Sequence, residues 1–324
     1  MPANLTPQYL AADRAYRQAK TPQEKIAALE EMYATIPKHK GTEKMQADIK
    51  HRLAKTRAAA DQAHSKTGVD VFHVEKSGAG QVVLVGTPNS GKSALLAATT
   101  KARVNVAPYP FATHAPVPGM MPYEDIQIQL VDLPPVTSDG IVPGMTGTVR
   151  AADAALICID LSAADALEQV ETCLGQLEKR GMVPAGREAP EGGRDMPMIL
   201  VGTKLDLPGA AEALGALGGL YGGALPIIGT SAETGQGLQD LAAQCFRMLG
   251  VVRVYSKEPG KPADMKQPFI LQRGSTVLDF ASEIHRDMAK QLKRARIWGS
   301  EKYDGQPVHR DHVIEDKDVI ELHV

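Results

Sequence analysis

The chain has 324 residues, is 43% hydrophobic and carries a formal net charge of −2, a globular composition whose length predicts two or three domains. No apolar run reaches the length of a membrane span, and the opening MPANLTPQYLAADR lacks a signal core, which predicts a cytoplasmic protein with no membrane partner. Three cysteines, Cys158, Cys173 and Cys245, are odd in number, far apart and set in apolar surroundings, which points to burial rather than disulfides or metal ligation.

Charge is segregated along the chain. Residues 1–67 carry 12 Lys/Arg against 7 Asp/Glu, residues 68–252 carry 11 against 19, and residues 253–324 carry 13 against 12. The basic start predicts helices. TPQEKIAALEEMYATI opens with Thr21 as N-cap, Pro22 in the first turn and Glu24 closing a capping box. Ile26, Leu29 and Tyr33 then form one apolar stripe. A second helix is predicted from about Thr42 to Ala63, with Met45, Ile49 and Leu53 on one face. Its lysines and arginines are either a solvated face or a surface for a polyanion.

From Gln81 onward, strand-like runs alternate with helical ones. QVVLVG, IQIQLVD, AALICID, MPMILVG and ALPIIG are short, and several are nearly continuous apolar runs, as parallel strands covered on both faces require. KSALLAATT, AADALEQVETCLGQLEKRG and GLQDLAAQCFRMLG between them have helical spacing, so the series predicts an α/β doubly wound sheet. VPAGREAPEGGRD (183–195) reads as a surface loop, and residues 208–224 as a short helix followed by flexible turns. Pro259, Pro262 and Pro268 mark a linker. Beyond it FILQRG, STVLDFASEIHRDM, RARIW and DVIELHV predict a small β-grasp-like module. The predicted divisions are residues 1–67, 68–252 and 253–324.

The chemistry sits at strand ends. VVLVGTPNSGKS contains Gly86, Thr87, Pro88, Asn89, Ser90, Gly91, Lys92 and Ser93, a P-loop that follows a strand and opens a helix. Its glycines let successive N–H groups converge on phosphate oxygens at the positive end of that helix. Lys92 is placed to reach the β- and γ-phosphates and Ser93 to bind Mg²⁺. Asp132 closes IQIQLVD, where a carboxylate holds Mg²⁺ through water. Thr113, in YPFATHAPVPG, is a candidate metal and γ-phosphate ligand. MILVGTKLD ends in Thr203-Lys204-x-Asp206. A carboxylate there accepts from two N–H groups of guanine, a match adenine cannot make. The Lys204 stem can cover the base, and Ser231 and Ala232 can offer amides to guanine O6. These motifs, in order at successive strand ends, point to GTP and GDP.

This ordered set resembles the Obg superfamily of GTPases. YPFATHAPVPG is similar to that group's switch loop, Tyr-Pro-Phe-Thr-Thr followed by Pro and Gly, and DLPP to its Asp-x-Pro-Gly. The stretch from FILQRG to DVIEL resembles a TGS domain. With the helical start, they resemble developmentally regulated GTP-binding proteins over nearly the whole chain. The resemblance implies hydrolysis of GTP to GDP and association with ribosomes or other RNA. It implies a hydrophobic residue, here Val136, in place of the glutamine that elsewhere orients water. It also suggests K⁺ on Asn89, unless that residue only stabilises the loop turn. This sequence departs from the family at Ala112, where the first threonine of the pair stands, at Pro135, where the switch glycine stands, and at Thr203, where the base motif has Asn. The family's extra domain between switch II and the base motif is expected to be absent, since only 70 residues lie between Asp132 and Thr203.

Two functional readings stay open. One is a slow Mg²⁺-dependent GTPase acting as a ribosome- or RNA-associated switch through the TGS domain and the basic helices. The other is a nucleotide-binding interaction module with little or no hydrolysis, because Pro135 has no N–H to offer a phosphate. An ATPase is disfavoured by Asp206. The KRARIW run, Lys293 to Trp298, is either an RNA-contacting strand or an edge strand with Trp298 packed beneath it.

Overall fold

The structure, a computed structural model, describes residues 72–100, 115–142 and 144–324, together with 22–36 and residues 9, 12–14, 16, 42, 45–46, 48–49 and 52. The chain divides into two units, Met1–His73 and Val74–Val324. In the first, helix α1 (Pro22–Thr35) and the residue after it bury Leu29, Met32 and Ile36 at spacings of three and four. Tyr9, Ala12 and Ile49 complete that small core, with Tyr33 and Met45 packed against it. The predicted cap Thr21, the side chain of Ile26, Leu53 and most of the second predicted helix lie outside the described residues, as do Ala112 and Thr113.

The second unit contains two larger sheets. In chain order come β1 (Gln81–Gly86), α2 (Lys92–Thr99), β2 (Val117–Tyr123), β3 (Ile126–Asp132), α3 (Met145–Ala151), β4 (Ala154–Asp160) and α4 (Ala166–Glu178). Then follow β5 (Met182–Pro184), β6 (Arg194–Met196), β7 (Met198–Thr203), α5 (Ala210–Tyr221), β8 (Ile227–Gly229) and α6 (Leu238–Leu249). The first sheet has the order β2-β3-β1-β4-β7-β8, parallel throughout except for β2. Strands β1, β4 and β7 are buried along their whole length, which is why their sequences show no polar face.

Three local expectations change. Strand β2, VPGMMPY, falls in and after the stretch read as a switch loop. Its Pro118 and Pro122 are tolerated because β2 is an edge strand, where a missing N–H breaks few ladder bonds. The predicted loop 183–195 contributes residues to both β5 and β6, which pair in parallel. Helix α5 continues through Gly215, Gly218 and Gly219 to Tyr221, where flexible turns were expected.

The second sheet is formed by β9 (Val251–Ser256), β10 (Phe269–Gln272), β11 (Arg294–Trp298), β12 (Gln306–Val308) and β13 (Asp318–His323), in the order β10-β9-β13-β11-β12. Helix α7 (Val277–Ile284), opened by a Thr276–Asp279 capping box, packs Val277, Phe280 and Ala281 against Val254, Ile297 and Ile320. Helix α8 (Arg286–Gln291) adds Met288 and Ala289 to that face. Only Gly250 separates α6 from β9. Pro259, Pro262 and Pro268 therefore lie in the connection from β9 to β10, inside the second sheet, and do not link it to the first.

The two sheets share a joint. Val251 lies in the core of the first sheet, with Ile270 packed against it. Arg253, only 2% exposed, makes a fork with Asp316, Nε to Oδ1 at 3.1 Å and Nη2 to Oδ2 at 2.7 Å. Its Nη1 donates to Glu124 at 2.5 Å and Asp125 at 2.8 Å, both at the turn between β2 and β3. The guanidinium lies 4.9 Å from the Phe246 ring centroid and 5.9 Å from that of Tyr123. Tyr255 also donates to Asp125, and Lys317 lies 2.9 Å from Glu124. An arginine suits this place because its planar fork can serve three carboxylates at once.

Candidate functional site

The P-loop turns out of β1 into α2. Gly86 must be glycine: a Cβ there would meet Ser90 Oγ at 2.4 Å and the Cys158 carbonyl at 2.6 Å. At Gly91, the N-cap of α2, φ is 81°, which favours glycine. Lys92 Nζ donates to the carbonyls of Gly86 (3.0 Å) and Thr87 (2.9 Å) and lies 3.4 Å from Ser90 Oγ. Burial lowers its ammonium pKa, while the negative charge of Asp132 pulls the other way. A buried cation held by weak carbonyl partners is well prepared to exchange them for phosphate oxygens.

Ser93 Oγ donates to Asp132 Oδ2 at 2.5 Å, so the ends of β1 and β3 bring together a hydroxyl and a carboxylate. These hard oxygen donors suit Mg²⁺. After Asp132 the chain stays close to the P-loop. Leu133, Pro134, Pro135 and Val136 are all buried, and Val136 N–H donates to the Gly86 carbonyl at 3.0 Å. Further on, Gln176 of α4 donates to the Ser138 carbonyl at 3.0 Å.

Around the corner lies a cleft of about 260 Å³, lined among others by Leu95, Thr203, Lys204, Asp206, Leu207 and Ala232. Thr203, standing where an Asn was expected, points its hydroxyl at the Ser90 carbonyl (2.9 Å) and the Ile159 carbonyl (3.0 Å). One proton is shared between them, and the P-loop is thereby tied to β4 and β7. Lys204 has a left-handed φ of 57°, and its Nζ meets Asp160 Oδ2 at 2.5 Å. Ser162 donates to the other oxygen through both its N–H and its hydroxyl. Burial pushes the Asp160 carboxyl up, but the bonds from Lys204 and Ser162 outweigh it and hold it below the ordinary range. Asp206 is exposed at the cleft.

Ser231 is buried and does not line the cleft. Its N–H goes to the Gln236 carbonyl, and its hydroxyl accepts from Thr234 N–H, while Ala232, with Thr230 and Glu233, lines the wall. Sequence reasoning missed Asp160, although it closes AALICID as Asp132 closes IQIQLVD. It also missed Gln176, a polar residue in a helix with no motif to mark it. The three cysteines are buried, and burial pushes their thiols up to about 12, so they stay protonated. Among the described residues no helix is long and apolar enough to cross a membrane.

Residues 81–187 match the family described as 50S ribosome-binding GTPase, and residues 252–324 match the TGS domain. An uncharacterised GTP-binding protein of Halobacterium salinarum is 30% identical, with 93% of this chain and 98% of that protein covered. Developmentally-regulated G-protein 2 of Arabidopsis thaliana is 28% identical over 92% of this chain and 90% of its own length. A GTP-binding protein of Pyrococcus horikoshii superposes with a TM-score of 0.52 at 16% identity, covering 75% of this chain and 99% of that one, which speaks for the fold alone. The α/β P-loop GTPase sheet and the separate C-terminal sheet agree with these matches, and the chain belongs to the developmentally regulated GTP-binding proteins, GTP-binding members of the Obg-like class with a C-terminal TGS domain.

Proposed function

We propose that this GTP-binding protein is a slow Mg²⁺-dependent GTPase that acts as a cytoplasmic, ribosome- or RNA-associated switch. The observation that carries it is the convergence of Lys92, Ser93 and Asp132 beside the cleft of Asp206 and Lys204. Lys92 would leave its carbonyl partners for the β- and γ-phosphates. Ser93 and Asp132, with Thr113 as a further candidate ligand, would hold Mg²⁺, whose charge when bound offsets that on the phosphates. Asp206 would accept from guanine, and the Asp160 contact would hold the Lys204 stem in place. Domain limits of 1–67, 68–252 and 253–324 accompany this reading. The ribosome-binding description of the matched family supports the partner. Co-sedimentation with ribosomes in GTP, in GDP and without nucleotide tests it, and equal pelleting in all three would contradict a switch. Single-turnover hydrolysis with and without ribosomes separates a GTPase from a module that only binds.

Asp206→Asn should weaken GTP binding by about 2 kcal/mol, roughly thirtyfold, because an amide leaves one guanine N–H without its acceptor. Phosphate contacts are untouched, so discrimination against ATP should fall with it. Unchanged discrimination in a competition titration would remove Asp206 from base recognition.

Asn89 is exposed in the P-loop with φ of 61°. Its carbonyl oxygen could hold K⁺, placing positive charge where the β–γ bond breaks. Hydrolysis should then be faster in KCl than in NaCl at equal ionic strength. Identical rates would leave Asn89 as a turn residue, a role its left-handed backbone already explains.

A further inference from the structure

Strand pairing places Arg253 and Tyr255 of β9, Val319, Glu321 and His323 of β13, and Arg294, Arg296 and Trp298 of β11 on one face of the second sheet, and Lys257, just past β9, reaches it at Glu321. The other face carries Val254, Ala295, Ile297, Ile320 and Leu322 and is covered by α7. The first face is divided. Its β9 side is closed by the first sheet through Arg253, which has three carboxylate partners. Its β11 side, with Arg294, Arg296 and Pro307, is exposed.

The charges on that open half do not cancel. Glu321 is its one acidic residue among those described; Lys257 binds its Oε2, and His323 Nε2 stands 2.8 Å from Oε1. Arg296 sits directly opposite Glu321 in the ladder, yet makes no ion pair with it. Arg294 likewise has no anionic partner among the described residues, and Lys293 is exposed beside it. Two residues apart on one strand, the backbones of Arg294 and Arg296 stand about 7 Å from each other, comparable with the step between neighbouring phosphates of an extended strand. Trp298 is not free to stack a base: Lys257 Nζ lies 4.7 Å from its ring centroid, and Gly305 packs closely against the ring.

We infer that the open half of the C-terminal sheet, centred on Arg294 and Arg296, docks the phosphate backbone of single-stranded RNA and does not read its bases. This rests on the RNA-associated reading above and names the surface. The strand is internal, between β13 and β12, so the surface is a rigid face and not a frayed edge.

The test compares the full-length protein with an Arg294→Gln/Arg296→Gln variant, using oligouridylate, oligoadenylate and ribosomes. Both residues are exposed, so GTP-analogue binding should be unchanged. Affinity for both oligonucleotides should fall by roughly tenfold at 0.15 M salt, and the salt slope by about 1.4, from two phosphate contacts on a single strand. Trp298→Phe should leave affinity in place. An unchanged slope, a loss confined to one base, or a large loss in Trp298→Phe overturns the inference. If the wild type pellets with ribosomes and the double variant does so equally, the inference fails while the RNA-associated function stands. If the double variant loses ribosomes but keeps both oligonucleotides, the face serves a protein and the inference is again wrong. A wild type that binds neither ribosomes nor RNA overturns both.

Discussion

Arg253→Met should destabilise the protein by about 3 kcal/mol, read as a lowered midpoint of denaturant unfolding. Removing one partner of a buried charge network commonly costs about 3–5 kcal/mol, because the remaining charges lose their compensation. The lower figure is expected here, since Glu124, Asp125 and Asp316 keep 45%, 27% and 29% of their side-chain surface and can rehydrate in part. Arg253→Lys should recover little, because an ammonium cannot reproduce the fork to Asp316 together with the bonds to the β2–β3 turn. Glu124→Gln should cost under about 1 kcal/mol, as expected for a largely solvated ion pair. An Arg253→Met protein that unfolds at the wild-type midpoint would show that the joint contributes nothing to stability.

The same joint has a pH signature. Burial raises the Asp125 and Asp316 carboxyls, but hydrogen bonds outweigh it, from Tyr255 and Arg253 in the first case and from Arg253 in the second, so both sit below the ordinary range. For Glu124, the bonds from Lys317 and Arg253 act in the same direction. A carboxylate lowered on folding contributes stability that is complete above its unfolded pKa and is lost as pH falls through its folded one. The wild type should thus lose more stability than Arg253→Met on moving from pH 7 into the acid range below about 4. Tyr255, pushed up to about 12 by burial and by Asp125, remains a donor across that range.

The joint also shows where sequence reasoning stops. The strand VVRVYS was not among the predicted elements, and nothing in it marks Arg253 as buried, because a strand pattern reports a face and not what covers it. What covers it here is a turn 128 residues earlier in the chain. The linker expectation failed for a related reason: three prolines mark a loop, but not whether it joins two bodies or two strands of one sheet. Strands β1, β4 and β7 of the first sheet were legible because burial on both faces leaves a nearly uninterrupted apolar run. Strand β2 was not, since prolines are a negative signal whose weight depends on an edge position that only pairing reveals. At the nucleotide site the glycines, Lys92 and Asp206 follow from motif chemistry. The link from Thr203 to the P-loop depends on three strands meeting, and no spacing encodes it.

Pro135→Gly should raise the preference for a non-hydrolysable GTP analogue over GDP by roughly ten- to a hundredfold. In relatives with Asp-x-x-Gly, the glycine N–H binds the γ-phosphate and draws the switch into its GTP state. Proline has no N–H, and Pro134 before it has none either. A hydrogen bond to a charged group contributes about 1.5–3 kcal/mol, and restoring one made only with the γ-phosphate gives the stated range. The first amide available after the two prolines is that of Val136, and it already donates to the Gly86 carbonyl, the same oxygen that holds Lys92. With Ser138 fixed to Gln176 and Asp132 to Ser93, the segment is held at three points by the protein itself. Such a segment gains little when GTP replaces GDP, so the wild type should distinguish them weakly. Glycine at 135 supplies the missing donor and frees the backbone that proline restrains. Equilibrium titration of both proteins with both nucleotides measures the ratio directly. If the wild type already prefers the analogue as strongly as Pro135→Gly does, Val136 N–H must leave Gly86 for the γ-phosphate. The proline would then displace the sensing amide by one residue rather than silence it.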